Sequence, residues 1–388
     1  MRVAWLISYN WSMSTDPDIL LIAASETDSN LYYATRFPAP DAFIFVRIKG
    51  ETILLMSDLE VDRARATATV DTVLSYSEYE GRVKRQGVTA PTSVAVVDAL
   101  LRERGVTKLL VPENFSFEHA RQLQARGYEL TTKPEPFFAE RALKTSEEVQ
   151  AIEKAQRAVE VAVQRAIDLL AAASIRNGQI IHDGEPVTSE LIKKLINVVL
   201  MEQDCVGQHT IIAGGVQACD PHNEGSGPLK AGDPIVMDVF PRHMATHYFA
   251  DMSRTVLKGK AGPEMKRLYA AVLDAQEEAI ASVRDGADGQ KIHAQVNRRF
   301  EEAGFKTGLV NGRMQGFFHG TGHGVGLDIH EAPRISKSGA LLTAGQVVTV
   351  EPGLYYPDIG ATRIEDMVLV TSDGCRNLTR FPKVLEIE

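Results

Sequence analysis

The sequence predicts an α/β protein of two domains, and three observations lead to this prediction. Short apolar runs alternate with stretches that carry the 3.6-residue spacing of amphipathic helices, a pattern typical of α/β folds. The chain has 388 residues, more than a single hydrophobic core usually supports. The pattern also changes near residues 134–144, so we place the two domains at 1–140 and 141–388.

The first domain is predicted from four apolar runs and two amphipathic stretches. The predicted strands are Ile19–Ala23, Phe43–Val46, Ile53–Met56 and Lys108–Pro112. The predicted helices are Thr92–Arg104 and Phe115–Ala125. We find no cluster of catalytic residue types in this part of the sequence.

The second domain begins with a helix-start signal. Thr145 followed by Glu148 forms a capping box, which pairs two backbone N–H groups that a helix start leaves open. Further helices are predicted at Ser189–Met201, Pro263–Val283 and Gln290–Ala303. Runs rich in β-branched residues predict strands at Thr210–Ala213, Ile235–Phe240, Val347–Val350 and Met367–Val370.

Composition argues against several classes of function. The formal net charge is -9 and no long run of Lys or Arg occurs, which does not suit a nucleic-acid-binding protein. No apolar run reaches the ~18 residues of a membrane span. The apolar stretch in MRVAWLISYNWSMSTD is shorter than a signal-peptide core. The three cysteines form no Cys-x-x-Cys pair. These features favour a reducing compartment, and we expect a cytoplasmic protein with no membrane partner.

Chemistry-bearing residues are concentrated in the second domain. The segments are CDPHNEG with His222, IVMDVF with Asp238, FADMSRT with Asp251, HGTGHGVGLDIHEAPR with His319, His323 and His330, TVEPG with Glu351, and TRIED with Glu365. Each segment alone has an ordinary explanation. Asp251 could be a turn residue or a partner of Arg254, and Glu365 could pair with Arg363 across solvent. His222 could be a solvated loop residue, and His330 a buried, hydrogen-bonded one.

Together, these residues predict a site for two metal ions. Four carboxylates brought close to one another repel, and some would take up protons near neutral pH. Two divalent cations balance the four negative charges. Oxygen ligands with one imidazole and no thiolate suit manganese, cobalt, iron or zinc. The glycine-rich stretch matches neither the dinucleotide nor the phosphate-loop fingerprint, and Arg334 stands where H-E-x-x-H requires its second histidine. Its four glycines predict a tight loop or an extended segment.

The ordered ligand set resembles that of the pita-bread metallopeptidases. That family includes methionine aminopeptidases, Xaa-Pro aminopeptidases and Xaa-Pro dipeptidases (prolidases). The resemblance rests on H-G-x-G-H-G-x-G-L-x-x-H-E-x-P, followed by E-P-G and R-I-E-D. It implies an α/β chain with a creatinase/prolidase-type N-terminal domain at 1–140 and a C-terminal pita-bread α+β catalytic domain at 141–388.

The resemblance also implies a role for each residue of the set. Asp238 would bind one metal ion, His323 and Glu351 the other, and Asp251 and Glu365 would bridge both. A bridging hydroxide would attack the scissile carbonyl, with Glu351 as general acid/base. The remaining candidates are His222 and His330 for substrate binding and stabilisation of the tetrahedral intermediate, Arg363 to orient Glu365, and Arg334 either for the substrate carboxylate or for a structural salt bridge.

One segment departs from the family pattern. The family usually has D-x-G followed by a tyrosine, with 11 positions between the two aspartates. Here Asp238 and Asp251 are 13 positions apart and position 240 is phenylalanine. We expect a hairpin two residues longer, in which His243 and His247 are either solvated turn residues, the reading we favour, or part of the site's lining.

The predicted activity is hydrolysis of Xaa-Pro dipeptides, with two divalent metal ions and manganese the favoured metal. The alternative is an Xaa-Pro aminopeptidase acting on longer peptides, and a methionine aminopeptidase fits less well because of the extra N-terminal domain. Creatinase lacks the metal ligands. A catalytically inactive binding protein of this fold is a further alternative. The predicted partner is a proline-containing peptide, and the resemblance suggests a homodimer.

Overall fold

A computed structural model describes residues 17–388 of the protein. The expectation that no signal peptide is present concerns residues 1–16 and therefore lies outside the described part. Contacts divide the chain into two compact units whose boundary falls between Phe138 and Ala139. Within residues 17–388, no helix is both long and apolar enough to cross a membrane.

The first unit is built on a six-stranded mixed sheet with strand order β4-β3-β2-β1-β5-β6. Its strands are β1 (Ile19–Ala23), β2 (Phe43–Ile48), β3 (Glu51–Met56), β4 (Thr72–Ser75), β5 (Lys108–Pro112) and β6 (Glu129–Lys133). Its helices are α1 (Ser29–Thr35), α2 (Val61–Thr67), α3 (Tyr76–Arg85), α4 (Ser93–Glu103) and α5 (Phe117–Ala125). Apolar residues alternate between the two faces: Leu20 packs in one core, and Ile19 and Leu21 pack in the other.

All four strands predicted in this unit are present, and Ile19–Ala23 and Lys108–Pro112 have the predicted bounds. The elements that the sequence analysis missed are short or only partly buried. α1 and α2 have seven residues each, about two turns, which is too short for a clear periodicity. β4 and β6 lack a buried apolar run and pair at the two edges of the sheet.

The second unit contains four long helices and many short strands. The helices are α6 (Ser146–Ala172), α7 (Ser189–Glu202), α8 (Pro263–Ser282) and α9 (Gly289–Glu302), with 3-10 turns at Ala139–Ala142 and Gly215–Cys219. The strands are β7 (Ser174–Arg176), β8 (Gln179–His182), β9 (Glu185–Pro186), β10 (Cys205–Val206), β11 (Ile211–Gly214), β12 (Ile235–Val239), β13 (Arg242–His243), β14 (Met252–Lys258), β15 (Gly308–Val310), β16 (Arg313–Gln315), β17 (Gly322–Gly324), β18 (Glu331–Ile335), β19 (Val347–Val350), β20 (Gly353–Tyr356), β21 (Gly360–Arg363), β22 (Asp366–Val370), β23 (Cys375–Asn377) and β24 (Glu386–Ile387).

The predicted capping box at the start of α6 is confirmed. The Thr145 hydroxyl accepts from the Glu148 backbone N–H, and the Glu148 carboxylate accepts from the Thr145 backbone N–H. The three other helices predicted in this unit are present with ends within one residue of the predicted ones.

Two sheets of the second unit carry the candidate site residues. One has the order β11-β12-β14-β24 and the other β18-β17-β19-β22-β23. α8 and α9 pack together and cover the second sheet, where Val272 and Val296 join Val348, Val350 and Val368 in one buried core. The two helices therefore support one face of the second sheet, and the ends of its strands can hold polar side chains at fixed positions.

Candidate functional site

The five predicted ligand residues lie on strands or directly beside strand ends. Asp238 is on β12, Asp251 precedes β14, His323 is on β17, Glu351 follows β19, and Glu365 stands between β21 and β22. β12 pairs with β14, and β17 and β22 both pair with β19. Strand pairing therefore brings Asp238 close to Asp251 in one sheet, and His323, Glu351 and Glu365 close together in the other.

His323 lies at the centre of the group. Its Nε2 atom is 3.6 Å from Asp251 Oδ2 and 3.4 Å from Glu351 Oε1. One ligand-type atom each from Asp251, His323 and Glu365 lie within 4.8 Å of one another, and all three residues are buried. The structure therefore assembles the carboxylate and imidazole groups that the sequence pattern singled out.

The protonation of His323 follows from its surroundings. Its Nδ1 atom lies 3.1 Å from the Gly324 carbonyl oxygen, which can only accept, so Nδ1 carries the hydrogen. Burial lowers the pKa of His323 to about 3, so the ring is neutral at pH 7. Nε2 thus directs a lone pair towards Asp251 and Glu351, which is the form of histidine that binds a metal ion.

The carboxylates repel one another in the metal-free protein. Burial, together with neighbouring carboxylates, raises the pKa of Asp251 and of Glu365 well above the usual range. Burial also raises the pKa of Glu351 to about 8. Ser253 donates to one oxygen of Glu365 at 3.0 Å. In the described part of the chain, Glu365 Oε1 and Asp238 Oδ1 are buried without a hydrogen-bond partner.

Arg363 was expected to orient Glu365, but its direct partner is Asp238. The guanidinium donates from Nη2 to Asp238 Oδ2 at 2.6 Å and from Nε to Ser253 Oγ at 3.0 Å. Glu365 is therefore oriented by Arg363 only through Ser253. The alternative of a Glu365–Arg363 pair across solvent is wrong, because both side chains are buried.

Tyr355 and His319 extend the hydrogen-bond network around Arg363, and the sequence pattern assigned a role to neither of them. Tyr355 is fully buried, and its hydroxyl accepts from Arg363 Nη1 at 3.0 Å. The same oxygen lies 2.8 Å from His319 Nε2. Burial lowers the pKa of His319 to about 3, so this histidine is neutral as well. Tyr355 lies on β20, four residues after Glu351, and nothing in this spacing would predict its contacts with Arg363 and His319.

A cavity of about 740 Å³ opens onto these residues and also contains the predicted substrate-binding side chains. His222, His330 and Arg334 are exposed and line it. The His330 ring meets the His323 ring edge to face, with centroids 4.4 Å apart. Burial lowers the pKa of His330. Arg334 forms no salt bridge with any described residue. The alternative role of Arg334 in a structural salt bridge therefore lacks an acidic partner in the described part of the chain.

The reading of His243 and His247 as solvated turn residues is wrong. Both side chains are buried, and burial lowers the pKa of each. His243 belongs to β13, which pairs with β10 rather than continuing the β12–β14 hairpin. Neither histidine lines the cavity described above.

The donor set fits divalent metal ions. Four carboxylates and one neutral imidazole converge, no thiolate lies among them, and two buried carboxylate oxygens lack a hydrogen-bond donor in the described residues. Buried carboxylates that repel one another are stabilised when cations lie between them. The residues present therefore suit a metal centre better than a purely hydrogen-bonded one.

Comparisons with known proteins agree with this interpretation. The model of Metallopeptidase family M24 matches residues 150–372. The Xaa-Pro dipeptidase of Pyrococcus furiosus is 33% identical over 247 residues, which cover 63% of this chain and 65% of that protein. The Xaa-Pro aminopeptidase 1 of Streptomyces coelicolor is 38% identical over 206 residues, covering 46% and 41%. The match thus spans just under two thirds of the dipeptidase and less than half of the aminopeptidase.

The fold has close counterparts among solved structures. The X-Pro aminopeptidase of Thermotoga maritima MSB8 superposes with a TM-score of 0.79, covers 96% of this chain and 97% of its own, and is 22% identical. At that identity the likeness speaks for the fold alone, an α/β unit followed by a pita-bread unit. Since the family model matches more than half of the chain, this protein belongs to metallopeptidase family M24, the pita-bread metallopeptidases.

Proposed function

We propose that this protein is a metal-dependent Xaa-Pro dipeptidase. The observation that carries the proposal is the buried group of Asp251, His323 and Glu365, with Asp238 and Glu351 beside it, at a cavity that also contains Arg334. Asp238 would hold one divalent ion, and His323 with Glu351 the other. Asp251 and Glu365 would contact both.

Two metal ions bound there would polarise the scissile carbonyl and lower the pKa of a bound water molecule. The chain's own residues supply the other requirements. Glu351, whose carboxylate lies 3.4 Å from His323 Nε2, would act as the general acid/base of the reaction. His330 and His222 line the same cavity and can donate to the developing oxyanion.

Two residues would position the site and the substrate. Arg363 fixes Asp238 directly and Glu365 through Ser253. Arg334, exposed in the cavity, would bind the terminal carboxylate of an Xaa-Pro dipeptide, which the proline itself carries. The positive charge of Arg334 therefore favours a substrate whose last residue is proline.

An Xaa-Pro aminopeptidase is the second candidate, and one observation favours it. A further cavity of about 250 Å³ adjoins the first and shares Phe318 and His319 with it. Lys337 lies at this second cavity. The added space could take a residue beyond proline, with its carboxylate near the Lys337 ammonium.

The test compares Ala-Pro with Ala-Pro-Ala in the presence of added manganese. Release of proline from Ala-Pro alone would support the dipeptidase, and release of alanine from Ala-Pro-Ala would support the aminopeptidase. A protein that binds two metal ions but cuts neither peptide would contradict the proline specificity. A protein that retains no metal after manganese loading would support the inactive binding protein.

Four further parts of the proposal rest on the sequence and on the family resemblance. These are manganese as the preferred metal, the homodimer, the cytoplasmic location, and the creatinase/prolidase-type character of the N-terminal domain.

A further inference from the structure

A buried group of charged side chains lies beside the loop that carries His330. Lys144 Nζ donates to Glu331 Oε1, and Arg141 Nη2 lies 3.1 Å from Glu331 Oε2. The side chains of Lys144, Arg141 and Glu331 are 1%, 4% and 9% exposed. Removing three charges from water is costly, and such groups are weak evidence for stability alone. A role in fixing local geometry is therefore worth testing.

Glu331 is placed where it can control the loop between β17 and β18. It follows His330 directly and is the first residue of β18, opposite Gly324 of β17. Its carboxylate packs on Gly326, where a Cβ atom would lie only 2.5 Å from Glu331 Oε1. The carboxylate is thus held by two cations on one side and by the loop backbone on the other.

The position of His330 depends on that loop. Its ring packs edge to face against His323, which is itself fixed through the Gly324 carbonyl and the Thr349 hydroxyl. A shift of the backbone at residue 331 would move the His330 ring relative to His323. Displacements of about 1 Å in a catalytic group can cost about 100-fold in rate.

We propose that Glu331 is a positioning residue: held by Lys144 and Arg141, it fixes His330 in the orientation that contacts substrate. The proposal rests on the role assigned above to His330. It adds an ion-pair anchor, contributed by the segment before α6, to the set of groups on which that role depends.

The first experiment is a double-mutant cycle with Glu331→Gln, His330→Ala and the combined variant, measuring kcat and KM for the peptide that the wild type cleaves. Glu331→Gln should lower kcat/KM by about 10- to 100-fold in the wild-type background. It should change kcat/KM less than twofold when His330 is already alanine, because the residue acts through His330. Equal factors in both backgrounds would overturn the proposal. Glu264→Gln, which breaks an exposed pair with Arg267, is the matched control.

The second experiment does not depend on activity. Hydrogen–deuterium exchange of the metal-free protein would compare wild type, Lys144→Met and Lys144→Arg in the peptide covering residues 325–331 and in a peptide from α8. We expect faster exchange of the loop peptide in Lys144→Met, near-normal exchange in Lys144→Arg, and no change in α8. Unchanged loop exchange in Lys144→Met would also overturn the proposal. If the wild type cuts no Xaa-Pro peptide, the proposed function fails while this measurement still decides the anchoring.

Discussion

The Arg363 guanidinium lies 2.6 Å from the Asp238 carboxylate, and this contact joins the sheet that carries Asp238 to the two-stranded sheet β20-β21. Asp238 belongs to β12 of the first sheet, and Arg363 ends β21 just before Glu365. Through Ser253, the same guanidinium also reaches Glu365. One buried cation therefore orients a carboxylate from each half of the site.

Replacing Arg363 by lysine should weaken metal binding. A lysine ammonium cannot reproduce the planar set of bonds to Asp238, Ser253 and Tyr355. Losing a group that orients a metal ligand typically costs about 10- to 100-fold in metal affinity. Titration calorimetry with manganese would measure the loss. Arg376→Lys, at an exposed pair with Glu153, is the control and should bind metal as the wild type does. Equal affinity in both variants would contradict the assigned role.

Replacing Asp251 by asparagine should have opposite effects on metal binding and on the stability of the metal-free protein. The variant should lose metal-dependent hydrolysis, and elemental analysis should find less bound metal. The melting temperature of its metal-free form should rise, because one of several mutually repelling buried carboxylates is gone. Asp373→Asn, at an exposed turn, should change neither property. Full hydrolytic activity of the Asp251 variant would refute the metal-site assignment, and the same holds for Glu365→Ala.

The stability of the metal-free protein should fall as the pH rises from about 6.5 to 8. The pKa of Glu351 is raised to about 8, and those of Asp251 and Glu365 are also raised, so the folded state holds more protons than the unfolded state. Under this condition the free energy of unfolding decreases with increasing pH. The histidines with lowered pKa have the opposite effect, but only below about pH 6.5, where the unfolded state binds the proton.

Urea unfolding at several pH values, with and without manganese, would measure this dependence. Without metal, the free energy of unfolding should fall as the pH rises. With metal it should fall less steeply, because bound cations keep the carboxylates ionised. Stability that rises over the same pH range without metal would show that the carboxylates are not close together in solution.

Replacing Gly322 by alanine should disturb the strand that carries His323. A Cβ atom at this position would lie 1.9 Å from the Thr349 carbonyl oxygen, so the backbone of β17 would have to move. We expect a loss of about 1–3 kcal/mol in the free energy of unfolding, together with weaker metal binding. Gly308→Ala, where the added carbon meets nothing within 4 Å, is the matched control. A Gly322 variant as stable as this control would contradict the close approach.

Replacing Arg334 by methionine tests the proposed carboxylate contact. Loss of a hydrogen bond to a charged group should raise KM for Ala-Pro about 10-fold or more. The value of kcat should change little, because the contact exists before the reaction begins. Steady-state kinetics would separate the two constants, with Arg298→Met on the exposed side of α9 as the control. A change in kcat alone would assign Arg334 a different role.

The sequence singled out the candidate ligands because they form a set that resembles one family's motif. An Asp within an apolar run, as at Asp238, is by itself more often a strand-end or edge residue than a ligand. The sequence pattern does not show which residue each charged side chain forms a salt bridge with. Arg254 was considered a partner of Asp251, yet it is fully buried and pairs with Asp366 at 2.8 Å. Such pairings depend on which strands become neighbours, which a single sequence does not show.

Residues without charge were harder to assign. Tyr355 and Ser253 act only through hydrogen bonds to Arg363 and Glu365, and their positions in β20 and β14 look like ordinary strand positions. His243 and His247 were misjudged because polar residues in a hairpin normally face solvent. Here Arg242 and His243 pair with β10, and both histidine side chains are buried. The decisive information was tertiary in each case.

The five candidate ligands become neighbours only when two separate sheets have formed and met. The metal centre is therefore among the long-range features of the fold, and such contacts form late when a chain folds. An ion that binds the finished site and not the unfolded chain stabilises it in proportion to the logarithm of its free concentration. Metal supply in a cell would then govern how long each copy of the protein survives proteolysis, as well as how fast it works.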